Sequence, residues 1–190
     1  TRSGLSCSGA SKPNHEWLDA MNPSYFGDSY DIVKRFFCGE LASLGYAVLA
    51  QPMFTGEWNG NRIAFLRFVG ASEFVRPLKS PSRTALFFDP DTGVHQRASR
   101  KHVSLAQVAE AANHHALAFA FDQSFSRQHD SAHAMQHKLS SMRELGCCAM
   151  YYDSHARFLF VSRAAEVLAQ LRGHLLSLGL PSSRFVAHGV

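Results

Sequence analysis

The stretch Ala85–Val94, ALFFDPDTGV, decides the fold. Ala85, Leu86, Phe87 and Phe88 form a short, wholly apolar run, and Asp89-Pro90-Asp91-Thr92-Gly93 follows at once. An apolar run of this length closed by turn residues reads as a strand buried on both faces. The two carboxylates then stand just past the strand's carboxyl end, the edge at which open α/β sheets bind ligands. Leu117–Phe121, LAFAF, has the same form and runs into Asp122-Gln123-Ser124. Between the two, Ser104 and Gln107 make a capping box that opens a helix to about His114. Two apolar strands joined by one helix are parallel neighbours. Asp89 and Asp122 are therefore expected at equivalent points of one edge.

Upstream, Asp28 or Ser29 caps a helix whose apolar face is Ile32, Val33, Phe36, Phe37, Leu41 and Leu44, with Gly45 as its stop. Tyr46–Gln51 reads as the first strand, and Pro52–Asn61 as a loop holding Phe54, Gly56 and Trp58. Arg62–Val69 fits helix or strand, since Ile63, Phe65 and Phe68 follow neither period. Arg76–Arg83 is a basic, Pro/Ser-rich connector, and Val94–His102 a loop. Downstream, Ser131–Leu145 reads as helix stopped by Gly146. Cys147–Tyr152 and Arg157–Val161 read as two strands about an Asp153–Ala156 turn. Ala164–Leu178 is the last helix. The expected fold is α/β: a single Rossmann-like three-layer domain, with a mostly parallel sheet and a C-terminal antiparallel hairpin.

The totals agree with one domain. A chain of 190 residues, 46% hydrophobic, buries roughly 70% of its unfolded surface without staples. Residues 1–20 are Ser/Gly-rich and lack a signal-peptide core, so they are expected to form a flexible leader before a 21–190 domain, with Met21 as a candidate natural start. No apolar run reaches the length of a membrane span. The four cysteines, Cys7, Cys38, Cys147 and Cys148, lack C-x-x-C spacing and are expected as reduced thiols in a cytoplasmic protein. A net charge of +4 permits an anionic partner without requiring one.

Asp89, Asp91 and Asp122 are the candidate catalytic residues. Gathered at one edge, their charges repel unless a cation or proton intervenes, and Mg²⁺ is the expected ion. The competing reading makes Asp89 and Asp91 an Asx turn before Gly93. Arg97, Arg100 and Lys101 follow the acidic turn directly and are the candidate phosphate-binding residues. His129, His133 and His137, spaced by four, share a helix face and read as polar surface. Asp153-Ser154-His155 reads as a hairpin turn, because a catalytic triad is assembled by geometry and not by adjacency.

From Ala85 onward the chain resembles the back half of class I S-adenosylmethionine (SAM)-dependent methyltransferases. In that family a strand ending in a DPPY-like motif, here Asp89-Pro90-Asp91-Thr92, is followed by helix, strand, helix and an antiparallel hairpin, here Cys147–Val161. The family's glycine-rich cofactor loop after its first strand has no counterpart in QPMFTGEW, which holds only Gly56, so SAM is not the expected cofactor. A second resemblance is to haloacid-dehalogenase-like phosphatases, whose apolar strand ends in D-x-D-x-T. Here the threonine comes one position early, and Ser124, Lys138 and Asp153 follow in the order of that family's later motifs.

The expected function is metal-assisted phosphoester hydrolysis on a nucleotide or nucleic acid. Mg²⁺ would be held by the carboxylates, and the basic loop would neutralise the substrate. The alternatives are a degenerate SAM-dependent methyltransferase-like protein and a non-catalytic binding or adaptor domain.

Overall fold

The computed structural model describes residues 26–53, 61–75, 83–125 and 130–187. The leader, Cys7, Phe54, Gly56, Trp58, the connector from Arg76 to Ser82 and His129 lie outside the described residues.

In chain order the elements are α1 (Ser29–Ser43), β1 (Ala47–Pro52), α2 (Arg62–Val69), β2 (Ser72–Glu73), β3 (Thr84–Asp89), β4 (Val94–His95), β5 (Val103–Ser104), α3 (Leu105–His114), β6 (Leu117–Phe121), α4 (Ser131–Glu144), β7 (Cys148–Tyr152), β8 (Phe158–Ser162), α5 (Ala165–Ser177) and β9 (Phe185–Ala187). Seven strands form one sheet in the order β2-β1-β3-β6-β8-β7-β9. The block β2-β1-β3-β6 is parallel throughout, with Phe88 beside Ala120 and Pro52 beside Asp89. The hairpin β7–β8 joins antiparallel to β6 through β8, and β9 closes the far edge. Helices α1, α2 and α5 cover one face, and α3 and α4 cover the other. This is the expected Rossmann-like three-layer domain.

The sequence explains the sheet directly. Every residue of β3 and β6 is buried, as central parallel strands require. Alternation then sorts the side chains. Phe87, Phe119 and Phe160 are cross-strand neighbours on the face of α1, and their rings stack at 4.9 and 5.8 Å. Leu86, Phe88, Ala118, Ala120, Leu159 and Val161 point to α3 and α4. Adjacent Cys148 and Cys147 likewise contact opposite clusters, and both are free thiols, as is Cys38.

Arg62–Val69 is a helix, because Phe65, Leu66 and Val69 together make its buried stripe. The 94–102 segment is more than a loop. Its start, β4, pairs in parallel with β5, so the chain folds back onto the turn that precedes it. Helix α1 is rotated from the expected face. Ile32 is 57% exposed, while Asp31 and Lys34 are buried with Phe37, Cys38 and Leu41.

Connections leave β1 and β3 in opposite directions. The chain from β1 runs through α2 to the outer strand β2, while that from β3 runs through α3 to β6 on the other side. Since α2 and α3 lie on opposite faces, the carboxyl ends of β1 and β3 form the point at which the sheet's connections diverge. Ligands of open α/β sheets bind at such a point. Among the described residues, no helix is long and apolar enough to cross a membrane.

Candidate functional site

Asp89 is the last residue of β3 and sits at this point of divergence, fully buried. Its partner comes from α1. Asp28 caps that helix, accepting from the backbone N–H groups of Tyr30 at 2.8 Å and Asp31 at 3.0 Å. The cap sets the first turn so that Asp31 and Lys34, three residues apart, share the inward face. Lys34 Nζ donates to Asp31 Oδ1 at 2.9 Å and to Asp89 Oδ2 at 3.1 Å, and lies 3.0 Å from Asp89 Oδ1. Asp31 Oδ2 accepts from the Gly27 N–H at 3.0 Å. The ammonium also lies 4.8 Å from the centre of the Phe121 ring, a cation–π contact.

Burial works against the charge on Lys34, but Asp89 and Asp31 outweigh it and hold the ammonium above the usual lysine range. Burial pushes the Asp89 carboxyl up. Lys34 only partly offsets this, and the nearby charges of Asp31 and Asp91 add to it. One lysine thus serves two buried carboxyl groups.

Asp122 follows β6 and belongs to a second cluster. Its Oδ1 accepts from the N–H groups of Val94 at 2.9 Å and Ser124 at 3.1 Å. Its Oδ2 accepts from Lys138 Nζ at 2.7 Å and from the Tyr151 hydroxyl at 2.8 Å. A carboxylate offers about four acceptor positions, and all four are in use. Lys138, buried on α4, also donates to the Val94 carbonyl and to Ser124 Oγ, each at 2.6 Å. The network fastens the Asp89–Gly93 turn to the end of β6. Gly93, at φ +91°, lies so close that an added Cβ would fall 2.6 Å from the Gln123 nitrogen and 2.8 Å from the Ser124 nitrogen.

The expected edge therefore exists, with the ends of β3 and β6 side by side, but its carboxylates are divided. Asp89 faces Lys34, Asp122 faces Lys138, and Asp91 lies half-buried in the turn between them. A lysine lies beside each of the two strand-end carboxyl groups, Lys34 at 3.0 Å from Asp89 and Lys138 at 2.7 Å from Asp122. Among the described residues, no group of three or more His, Cys, Asp or Glu side chains is placed to hold a metal ion. Asp122 acts as the hub of the turn.

The basic residues lie where the order of the chain put them, Arg97 and Arg100 exposed and Lys101 half-exposed. Their loop is tied to the turn, as Thr92 N–H donates to the Lys101 carbonyl at 2.9 Å. His95 and His102 pack against each other within it, ring centres 4.3 Å apart and planes tilted by 41°. Burial, then the neighbouring His95 charge, hold the His102 imidazolium below the usual range. His133 and His137 are exposed on α4. Asp153–Ala156 is a turn in which Asp153 pairs with Arg157 at 2.7 Å and Ser154 Oγ donates to the Ala156 carbonyl at 2.8 Å.

Asp31 and Lys34 are the residues that the sequence reading missed. Their signal was register. Positions 31, 34, 38 and 41 form one helical stripe, on which two charges accompany Cys38 and Leu41. Comparisons with family models, with curated proteins and with solved structures find no match.

Proposed function

We propose that the protein is a cytoplasmic, methyltransferase-like α/β domain. It binds a nucleoside cofactor in the crevice at the carboxyl ends of β1 and β3, and it acts on, or holds, a nucleotide or nucleic acid. One observation carries this reading: a buried aspartate, held by a lysine, at the point where the sheet's connections diverge. Support comes from the element order after that aspartate, helix α3, strand β6, helix α4 and the hairpin β7–β8, which the methyltransferase resemblance implies. SAM is the cofactor to test first on that ground. Arg97, Arg100 and Lys101 stand on the adjoining loop and supply the cations for an anionic partner. Metal-assisted hydrolysis is the weaker reading, because Lys34 and Lys138 already occupy acceptor positions on Asp89 and Asp122.

The deciding experiment is calorimetry of the full chain with SAM, S-adenosylhomocysteine, ATP and Mg²⁺ in separate titrations. Saturable binding of one of the nucleosides is expected, with chemical-shift changes at the Met53, Asp91 and Thr92 amides when the same titration is followed by NMR. Binding of none of the nucleosides overturns the reading and leaves the non-catalytic adaptor. For the second partner, changing Arg97, Arg100 and Lys101 to Ala should weaken nucleic-acid binding across all sequences and flatten its salt dependence. Unaltered binding removes the loop from the interface.

A further inference from the structure

The cluster around Asp122 contains more than its fastening role requires. Ser124, Lys138 and Asp122 stand in the relation of a nucleophile, a base and the group that orients the base. Among the described residues, Lys138 Nζ has three close oxygen partners. Two of them, the Val94 carbonyl at 2.6 Å and Asp122 Oδ2 at 2.7 Å, can only accept. The third, Ser124 Oγ at 2.6 Å, can accept or donate. If Nζ loses a proton, its two remaining N–H bonds are held by the carbonyl and the carboxylate, and its lone pair is left facing Ser124. Ser124 is half-exposed, in the segment that follows the carboxyl end of β6, so it adjoins the edge where ligands enter. Its own N–H is held by Asp122, which fixes the backbone under the hydroxyl.

We propose that Ser124 is a nucleophile activated by Lys138, giving the protein an acyl-transfer site for small esters, distinct from the crevice at β1 and β3. The Ser124 hydroxyl passes its proton to the Lys138 amine as Oγ bonds to the ester carbonyl carbon, whose π electrons move to the carbonyl oxygen. Collapse of that adduct breaks the bond to the leaving alcohol, which takes the proton from Nζ. A water molecule repeats the sequence on the acyl-serine, so ester and water become acid and alcohol, and Ser124 is restored. Burial favours the amine form, holding Lys138 below the usual lysine range against the opposing charge of Asp122.

The test uses a fluorophosphonate probe on the full chain, with peptide mapping of the adduct by mass spectrometry and p-nitrophenyl acetate as a turnover substrate. A single adduct on Ser124 is expected. Lys138→Arg keeps a cation for Asp122 but cannot serve as a base, and should slow labelling about 100-fold or more. Ser124→Ala should remove labelling and turnover while the melting curve stays cooperative. No adduct on the native chain, an adduct elsewhere, or labelling undiminished in Lys138→Arg overturns the proposal. The mapping on native protein decides it even if a variant fails to fold, and SAM binding is unaffected by either result.

Discussion

Lys34 and Asp89, fifty-five residues apart in the chain, meet at 3.1 Å inside the protein and pin the first helix to the end of the central strand. Both side chains are almost wholly shielded from water, at 4% and 1% exposure. Desolvating such a pair is costly, and the attraction regained rarely exceeds that cost. A hydrophobic pair would hold α1 at least as well. The pair joins α1 to the diverging strand ends at a cost that packing alone does not require.

Removing one partner exposes the cost. Lys34→Met should destabilise the fold by about 3–5 kcal/mol, since Asp89 and Asp31 are left buried without a cation. Asp89→Asn in the same chain should recover part of the loss, because it removes one of the stranded charges. Urea unfolding of the two single variants and the double variant gives the coupling. Strictly additive losses would show that Lys34 and Asp89 do not act as a pair.

The pH dependence follows from burial of Asp89. Its carboxyl is pushed up because desolvation outweighs Lys34, with Asp31 and Asp91 adding to the effect. A group with a raised folded pKa binds its proton more tightly in the native chain. Its contribution is fully present below the unfolded value of about 4 and is lost as pH rises through the folded value. Asp89→Asn removes this contribution. The stability of the native protein relative to Asp89→Asn should therefore be greatest near pH 4 and decline towards neutral pH. A difference that grows with pH would mean that the lysine, and not burial, dominates at Asp89.

Hydrophobic pattern made the sheet legible. The runs at Ala85–Phe88 and Leu117–Phe121, the Ser104 and Gln107 box and the Gly146 stop each appear as the residues imply. Strands β2, β4, β5 and β9 were not legible, because two or three residues carry no period. The site was half legible. Asp89 and Asp122 announced themselves by following apolar strands, whereas Lys34 lay on a helix where charge ordinarily means solvent. Its register with Cys38 and Leu41 set it apart from exposed Arg35, but its partner Asp89, distant in the chain, had no sequence signal.

Magnesium discriminates between the two ways of neutralising the edge. A divalent cation at Asp89 would have to displace an ammonium, and at Asp122 would have to displace four hydrogen bonds. Millimolar Mg²⁺ at fixed ionic strength should leave Tm unchanged, since only binding to the native state raises it. A rise that disappears in Asp89→Asn would restore the metal-assisted reading of Asp89 and Asp91.

Gly93 offers the sharpest test of the turn, by comparison with Gly70. Both glycines adopt left-handed backbone, at φ +91° and +77°. An alanine in that conformation costs about 1–2 kcal/mol from its own Cβ. At Gly70, the cap of α2, no heavy atom lies within 4 Å of the added carbon, so Gly70→Ala should cost no more than this. At Gly93 the added carbon would press on the backbone nitrogens of Gln123 and Ser124 at 2.6 and 2.8 Å. Backbone cannot swing aside as a flexible side chain can, so the turn must lift away from β6. Lifting it pulls the Val94 N–H from Asp122 and leaves a buried carboxylate short of a donor, which adds a further penalty. Gly93→Ala should therefore lose at least about 4 kcal/mol, or fail to fold, a size reserved for a named structural fault. It should also weaken ligand binding at the crevice, because Asp89–Thr92 moves with the turn. Equal melting curves for the two alanine variants would show that the turn is not seated on Asp122.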